Sequence, residues 1–408
     1  MTKKNKILFI AKRDCIPAND GGQKAIFYSV KSFAEDNNFD VYFSHLSENK
    51  NNELASAFYN LNIQYFPYYK NIKDDYYEYA KNILNSIPLK IKKYQDKQYL
   101  EFLSNIIVEN DIDIIFVHHL HMAYYGKELK KKFPDKIVIL REHDIVWDLV
   151  KLFAKYEKNI LIKLYAWLEY YKTKKYEKSM WQFFDKVYFI SNTDLIEAKK
   201  ECNKFDISNL LYEGIEISVS KDVNVEENSF IYSVLKSVQN IKNLEYFVKQ
   251  IWTPFFYKHT ECKLYLTGSN DKLISKCLGC EKEKWSKLNI VNLGFVDDIK
   301  KTIQEKQFVV SPTLFGSGIR MKVLEAMALN KIVFVSDIDY KMCHKFKDLN
   351  NIIHFNDYND FLIKYEKIQN NKLLQNQIMK NEQNILNTIF SYKVYVNTVS
   401  NDIKSYFQ

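Results

Sequence analysis

Short apolar runs rich in β-branched and aromatic residues recur along the chain, each separated from the next by a stretch long enough to hold a helix. In the first half they are KILFIA, DVYFSHL, DIIFVHHL, KIVILREH and KVYFIS; in the second they are FIYSVL, CKLYLTG, NIVNLGF, QFVVSP and KIVFVS. A run that is apolar at nearly every position suits a strand buried on both faces, and such strands alternating with helices build a parallel, doubly wound sheet. The spacing predicts one intervening helix over residues 23–36 and another over NLEYFVKQIWTPFF. Because the pattern occurs twice, two Rossmann-like α/β domains are expected. The polar, charged stretch SVSKDVNVEE at 218–227 is the expected link. It gives domains over 1–222 and 223–388, with a terminal helix over 389–408 free to pack back on the first domain.

At 408 residues the chain exceeds one ordinary core, which fits this division. Hydrophobic residues at 47% and charged residues at 27% are ordinary for a folded protein and exclude the disordered and collagen-like classes. The formal net charge of +9 favours acidic partners without choosing between a nucleotide, a nucleic acid and an anionic membrane. The basic residues follow no recognised nucleic-acid-binding module, so no nucleic-acid partner is expected. The opening MTKKNKILFIAKRDC has too short an apolar run before Lys12, Arg13 and Asp14 for a signal peptide. No uncharged apolar window approaches the length of a membrane span, and a cytoplasmic chain is expected. Six irregularly spaced cysteines fit reduced thiols. Cys277 and Cys280 form one C-x-x-C with no second pair, Cys343 beside His344 is distant in sequence, and no metal site is expected.

Between the runs QFVVSP and KIVFVS lies GSGIRMKVLEAMA, which should supply about three turns of helix. Gly316 and Gly318 permit a tight strand-to-helix turn and leave backbone N–H groups open to an anion at the helix start. Helical spacing puts Gly318, Lys322 and Glu325 on one face, with Arg320 pointing elsewhere unless the first turn is irregular. Ile319, Val323, Leu324 and Met327 would face the sheet. A lysine for phosphate and a glutamate for ribose hydroxyls describe a site for a phosphorylated sugar or nucleotide. The plainer reading is a sheet-packing helix with a Lys322–Glu325 surface pair.

His143 follows the run KIVILRE and so lies at a strand's carboxyl end, where open α/β sheets keep their sites. The structural alternative is a histidine that caps the next helix together with Asp144. Of His118, His119 and His121, strand alternation puts only His119 and His121 on a common face, which argues against a metal cluster. Residues 150–184 form a long helical stretch that is basic and dense in aromatics. It offers peripheral contact with an anionic membrane, or else forms a helix pair of the first domain with solvated lysines.

Taken in order, several motifs carry a family resemblance: KILFIAKRDCIPANDGGQKAIFYSVKSF, LREHDIVWDLV, YEKSMWQFFDKVYFISNTD, EGIE, NIKNLEYFVKQIWTPFF, LYLTGS, LGFVDDI and SPTLFGSGIRMKVLEAMA. The chain resembles the group 1 bacterial glycosyltransferases of GT-B fold along nearly its whole length. The last motif is the most specific, matching the form P-x-x-x-G-x-G-x-R-x-K-x-x-E-A-M-A. The resemblance implies two Rossmann-like domains facing each other across a cleft, the first on the acceptor side and the second on the donor side. It implies transfer of a sugar from a nucleoside diphosphate sugar to an acceptor hydroxyl, with retention and without a metal or other cofactor. The expected partners are that donor and a saccharide or lipid-linked saccharide acceptor, in surface polysaccharide or glycolipid assembly. Carried over by motif, His143, Arg320 and Lys322 would be catalytic. Gly21, Gly22, Asn240, Gly316, Ser317, Gly318 and Glu325 would bind substrate.

The chain also departs from the family. Many members carry two glutamates eight positions apart, and Ser317 stands where the first would be. The loop after FIYSVL reads KSVQNIKN, with Ser233 where glycine is common and Lys236 or Lys242 as candidate phosphate ligands. These departures keep open a partner protein that binds a nucleotide sugar without turning it over. An epimerase of the same architecture would need cleft carboxylates for proton transfer, and none is apparent.

Overall fold

The computed structural model describes residues 4–18, 20–72, 85–202, 208–217, 223–234, 238–314, 318–404 and 406. The chain divides into two compact units, one of Met1–Gly214 with Tyr392–Gln408 and the other of Ile215–Ser391. These divisions compare with 222/223 and 388/389 from the polar stretch. Glu213 is bonded to Arg141 inside the first unit, while Ile215 already bridges Ser391 in the second.

The first unit is built on seven parallel strands: β1 (Asn5–Ala11), β2 (Phe39–Ser47), β3 (Gln64–Tyr69), β4 (Ile114–His118), β5 (Ile137–Glu142), β6 (Lys186–Phe189) and β7 (Ser208–Leu210). Their order across the sheet is β3-β2-β1-β4-β5-β6-β7. Alternation along β1 sends Leu8 and Ile10 into one apolar cluster with Val117, Leu140 and Trp181, and Ile7 and Phe9 into another with Phe33 and Phe43. Both faces of the sheet are covered, which is why the runs read as continuously apolar.

Helix α1 (Gly21–Ala34) begins two residues before the expected 23, because Asp20 caps it by accepting from the Gln23 N–H. The long helical stretch expected over 150–184 is a hairpin of two helices, α2 (Val146–Tyr156) and α3 (Ile160–Trp181). The second unit has six strands, β8 (Glu226–Ser233), β9 (Lys263–Thr267), β10 (Ile290–Gly294), β11 (Lys306–Ser311), β12 (Ile332–Ser336) and β13 (Ile353–Phe355). They run β10-β9-β8-β11-β12-β13 across a parallel sheet. Helix α4 (Met321–Ala328) connects β11 to β12. The terminal helix α5 (Tyr392–Lys404) returns to the first unit, burying Tyr395, Val396 and Val399 beside α1, where Tyr395 shares a 2.7 Å hydrogen bond with Ser29.

Each sheet reverses its winding direction once, between β1 and β4 in the first and between β8 and β11 in the second. In open α/β sheets, ligand sites lie outside the carboxyl ends of the strands at such a reversal. Those ends carry Lys12, His119 and His143 in the first unit, and Ser233 and the segment leading to Arg320 in the second.

Candidate active site

In the second unit the site grows from the end of β11. The Ser311 and Thr313 hydroxyls both donate to Asp339 Oδ2, at 2.5 and 2.8 Å. Ser336 donates to the Thr313 carbonyl at 2.6 Å, and the buried Asn243 accepts from the Leu314 N–H at 3.0 Å. This lattice fixes the strand end and leaves Asp339 Oδ1 facing the Arg320 guanidinium, with Nε 3.4 Å away. Gly318 has φ of +75°, a conformation open to glycine at little cost.

Helix α4 starts only at Met321, with Arg320 as an extended N-cap residue, so the expected common face of Gly318, Lys322 and Glu325 does not form. Gly318 lies before the helix, and the irregular start turns Arg320 toward Asp339. Lys322 and Glu325 do lie three apart on α4, and both are half-buried. Ile319, Val323, Leu324 and Met327 are buried, as the sheet-facing reading requires.

The Lys322 ammonium sits 4.6 Å from the centre of the Tyr232 ring. Burial, reinforced by Arg320, lowers its pKa to about 8 against the opposing pull of Asp339. Among the described residues the buried Tyr232 hydroxyl has no hydrogen-bond partner, and burial pushes its pKa up. Such an orphaned hydroxyl beside a lysine and an arginine is a polar group that a ligand could satisfy. Asn240 is half-buried on the helix Val238–Tyr246, which follows β8. Gly316, Ser317 and Lys236 lie outside the described residues.

In the first unit the site is a histidine cluster at the ends of β4 and β5. Strand alternation fails there: β4 stops at His118, and His119 takes φ of +69° while donating its N–H to the Arg141 carbonyl at 2.9 Å. His143 is joined there by His118 and His119, while the His121 ring meets His119 edge-on at 6.3 Å between centroids. His118 Nδ1 and His143 Nε2 are 2.9 Å apart, and the His119 ring stacks on His143 at 3.7 Å between centroids. Burial holds the pKa of all three well below the usual histidine range, and neighbouring charges such as Arg141 and Lys12 add to it. The rings are neutral near pH 7.

His121 also approaches Lys12, whose Nζ is 3.5 Å from His121 Nδ1. Burial, then Arg13, lowers the Lys12 pKa to about 8. Arg13 donates to Asp20 at 2.7 Å. A methyl group on Gly22 would come within 3.0 Å of Arg13 Nη2, 3.4 Å of Asp20 Oδ1 and 3.9 Å of His119 Nε2. The absent side chain thus lets Arg13, Asp20 and the buried His119 pack closely beside the start of α1, whereas Gly21 is simply exposed at its first turn.

His143 does not cap the next helix. The first N–H groups of α2 at Val146 and Trp147 donate to the Glu177 carboxylate at 3.0 and 3.1 Å. Its neighbour Glu142 accepts from the Trp181 indole at 3.0 Å, and burial raises its pKa to about 8. Among the described residues, no group of three His, Cys, Asp or Glu side chains is placed to hold a metal ion. Reading the sequence as strands and helices missed Asp339, Tyr232, Lys12 and Arg13 as site residues. It set His118 and His119 aside as failed metal ligands.

Residues 230–368 match the family described as glycosyl transferases group 1. No curated protein matches the chain. Solved structures match over nearly its whole length. A glycosyltransferase from Rickettsia africae is 14% identical with a TM-score of 0.66, each chain covered to 99%. The Anabaena protein HepE, solved with UDP and glucose, is 11% identical with a TM-score of 0.67, covering 98% of this chain and 100% of its own. Sucrose-phosphate synthase from Thermosynechococcus elongatus is 12% identical with a TM-score of 0.70, each chain covered to 99%. The likeness establishes the fold: two parallel α/β units of the GT-B glycosyltransferase architecture.

Proposed function

We propose that the chain is a glycosyltransferase that moves a sugar from a nucleoside diphosphate sugar to an acceptor hydroxyl. It does so with retention at the anomeric carbon and without a required metal, in assembling bacterial surface polysaccharide or glycolipid. The observation that carries the reading is the cation pair Arg320 and Lys322 about Asp339 at the end of β11, inside the segment that matches the glycosyltransferase family. As the bond from the anomeric carbon to the diphosphate breaks, negative charge grows on the diphosphate oxygens. Cations already aimed at that charge stabilise it more than they stabilise the intact donor.

Asp339, held by two hydroxyls, limits where the Arg320 guanidinium can point, so less order has to be created during the reaction. Glu325 takes the ribose hydroxyls through charge-assisted hydrogen bonds. In the first unit the neutral His143, held between His118 and His119, accepts or donates a hydrogen bond to a sugar hydroxyl without adding charge. The open backbone at Gly22 admits the diphosphate or the acceptor, a saccharide or lipid-linked saccharide.

The test is release of nucleoside diphosphate from a panel of sugar nucleotides, with UDP-sugars first because HepE was solved with UDP. At least one donor should turn over slowly without acceptor, and EDTA should leave that rate intact. Nucleotide binding with no turnover on any donor would favour the non-catalytic binding protein to which Ser317, in place of a family glutamate, points. Complete loss in EDTA, restored by magnesium or manganese, would overturn metal independence.

A further inference from the structure

The α2–α3 hairpin carries a second apolar face that the fold does not use. Helix α3 buries Ala166, Tyr170, Thr173 and Glu177 against its own unit. On the opposite side Leu161, Leu164, Leu168 and Tyr171 recur at helical spacing, and all four are exposed, Leu161 to 76% and Leu164 to 65%. Ile160 at the helix start and Phe153 on α2 extend the patch. Of the nineteen large hydrophobic side chains exposed among the described residues, eight fall between Phe153 and Tyr171. Single exposed leucines need no explanation, but a contiguous patch on one hairpin does. A helix that is apolar on opposite sides is covered on both when it works.

Charge identifies the cover. Lys151, Lys155 and Lys158 are exposed around the hairpin tip and Lys163 is half-buried, while Glu157 is the one acidic residue between Lys151 and Lys163. A second copy docked face to face would bring these lysines against their own counterparts, which costs free energy. Apolar side chains ringed by lysines, with Tyr156 and Tyr171 at the margins, match a bilayer surface whose headgroups are anionic.

We propose that the α2–α3 hairpin is a docking surface for anionic lipid, inserting the Leu161, Leu164 and Leu168 side into the headgroup region without spanning it. No helix among the described residues is long and apolar enough to cross a membrane. The inference is independent of the transferase reading, because none of these residues belongs to either candidate site.

Sedimentation of the full chain with vesicles tests it. The chain should pellet with phosphatidylcholine vesicles containing phosphatidylglycerol, bind pure phosphatidylcholine far less, and release as salt rises. The double variant Leu161→Gln, Leu164→Gln should lower partitioning about tenfold or more. A second variant with Lys151, Lys155 and Lys158 changed to Gln should lower it comparably on anionic vesicles only. Both alter exposed side chains, so thermal melts should match the wild type. Failure to bind anionic vesicles would overturn the proposal, and so would binding that neither variant weakens. A concentration-dependent dimer that the leucine variant dissolves would assign the face to self-association instead.

Discussion

Lys322 is where the chemistry of the candidate site is most sharply set. Its ammonium faces a tyrosine ring on one side and is lowered to about 8 by burial and by Arg320, so it is charged near neutral pH and loses its proton as the pH passes 8. A bound diphosphate favours the charged form and raises that pKa. Nucleotide binding at this site would therefore take up a proton wherever the free lysine is neutral. Affinity for a nucleoside diphosphate should be flat between about pH 7, above which the terminal phosphate is ionised, and pH 8, and fall up to about tenfold per unit above that, until the pKa of the complex is reached. In Lys322→Ala this dependence should vanish in calorimetric titrations. An unchanged profile in that variant would remove Lys322 from the phosphate site. Arg320→Ala and Lys322→Ala should each cost about 2–4 kcal/mol of transition-state stabilisation in turnover. The motif marked Lys322, Arg320 and Glu325 as candidates in the sequence. Asp339 and Tyr232 were not, because they come from other elements that only folding brings beside α4.

At the scale of elements, the apolar runs made nearly every central strand legible, since strands buried on both faces leave little room for polar residues. What stayed hidden were the strand ends. His119 departs from strand geometry at φ +69°, so counting alternation found its neighbour His121 but not its stacking on His143. Helix α4 began later than helical spacing suggested because Arg320 is extended, and no local propensity reports that.

The buried pair Arg141 and Glu213 ties β5 to the segment that follows β7, with Arg141 Nη2 2.8 Å from Glu213 Oε2 and the guanidinium 4.9 Å from the Tyr395 ring of α5. Both side chains are fully buried. Glu213→Gln would leave the guanidinium without its counter-charge and should lower unfolding free energy by about 3–5 kcal/mol in urea. A loss below about 1 kcal/mol would show that the Tyr395 ring and the neutral amide suffice.

For the whole molecule, the repeat of strand and helix patterns announced two doubly wound units, but the crossing points depended on long-range pairing. The polar stretch at 218–227 marks only the neighbourhood, because Glu213 is held back by Arg141 and the chain crosses immediately after Gly214. The terminal helix packs back on the first unit, as its reading over 389–408 allowed, but contacts such as Tyr395 with Ser29 were not announced by the sequence. Binding of a sugar donor's nucleotide to the second unit through α4, as proposed, can be decided by one titration. Calorimetry with UDP and GDP on the wild type and Glu325→Gln should show binding of at least one nucleotide, weakened in the variant by about 1–3 kcal/mol with the melting temperature unchanged. Equal affinity in both proteins, or no affinity in either, would contradict the account and leave α4 a helix that merely packs on its sheet.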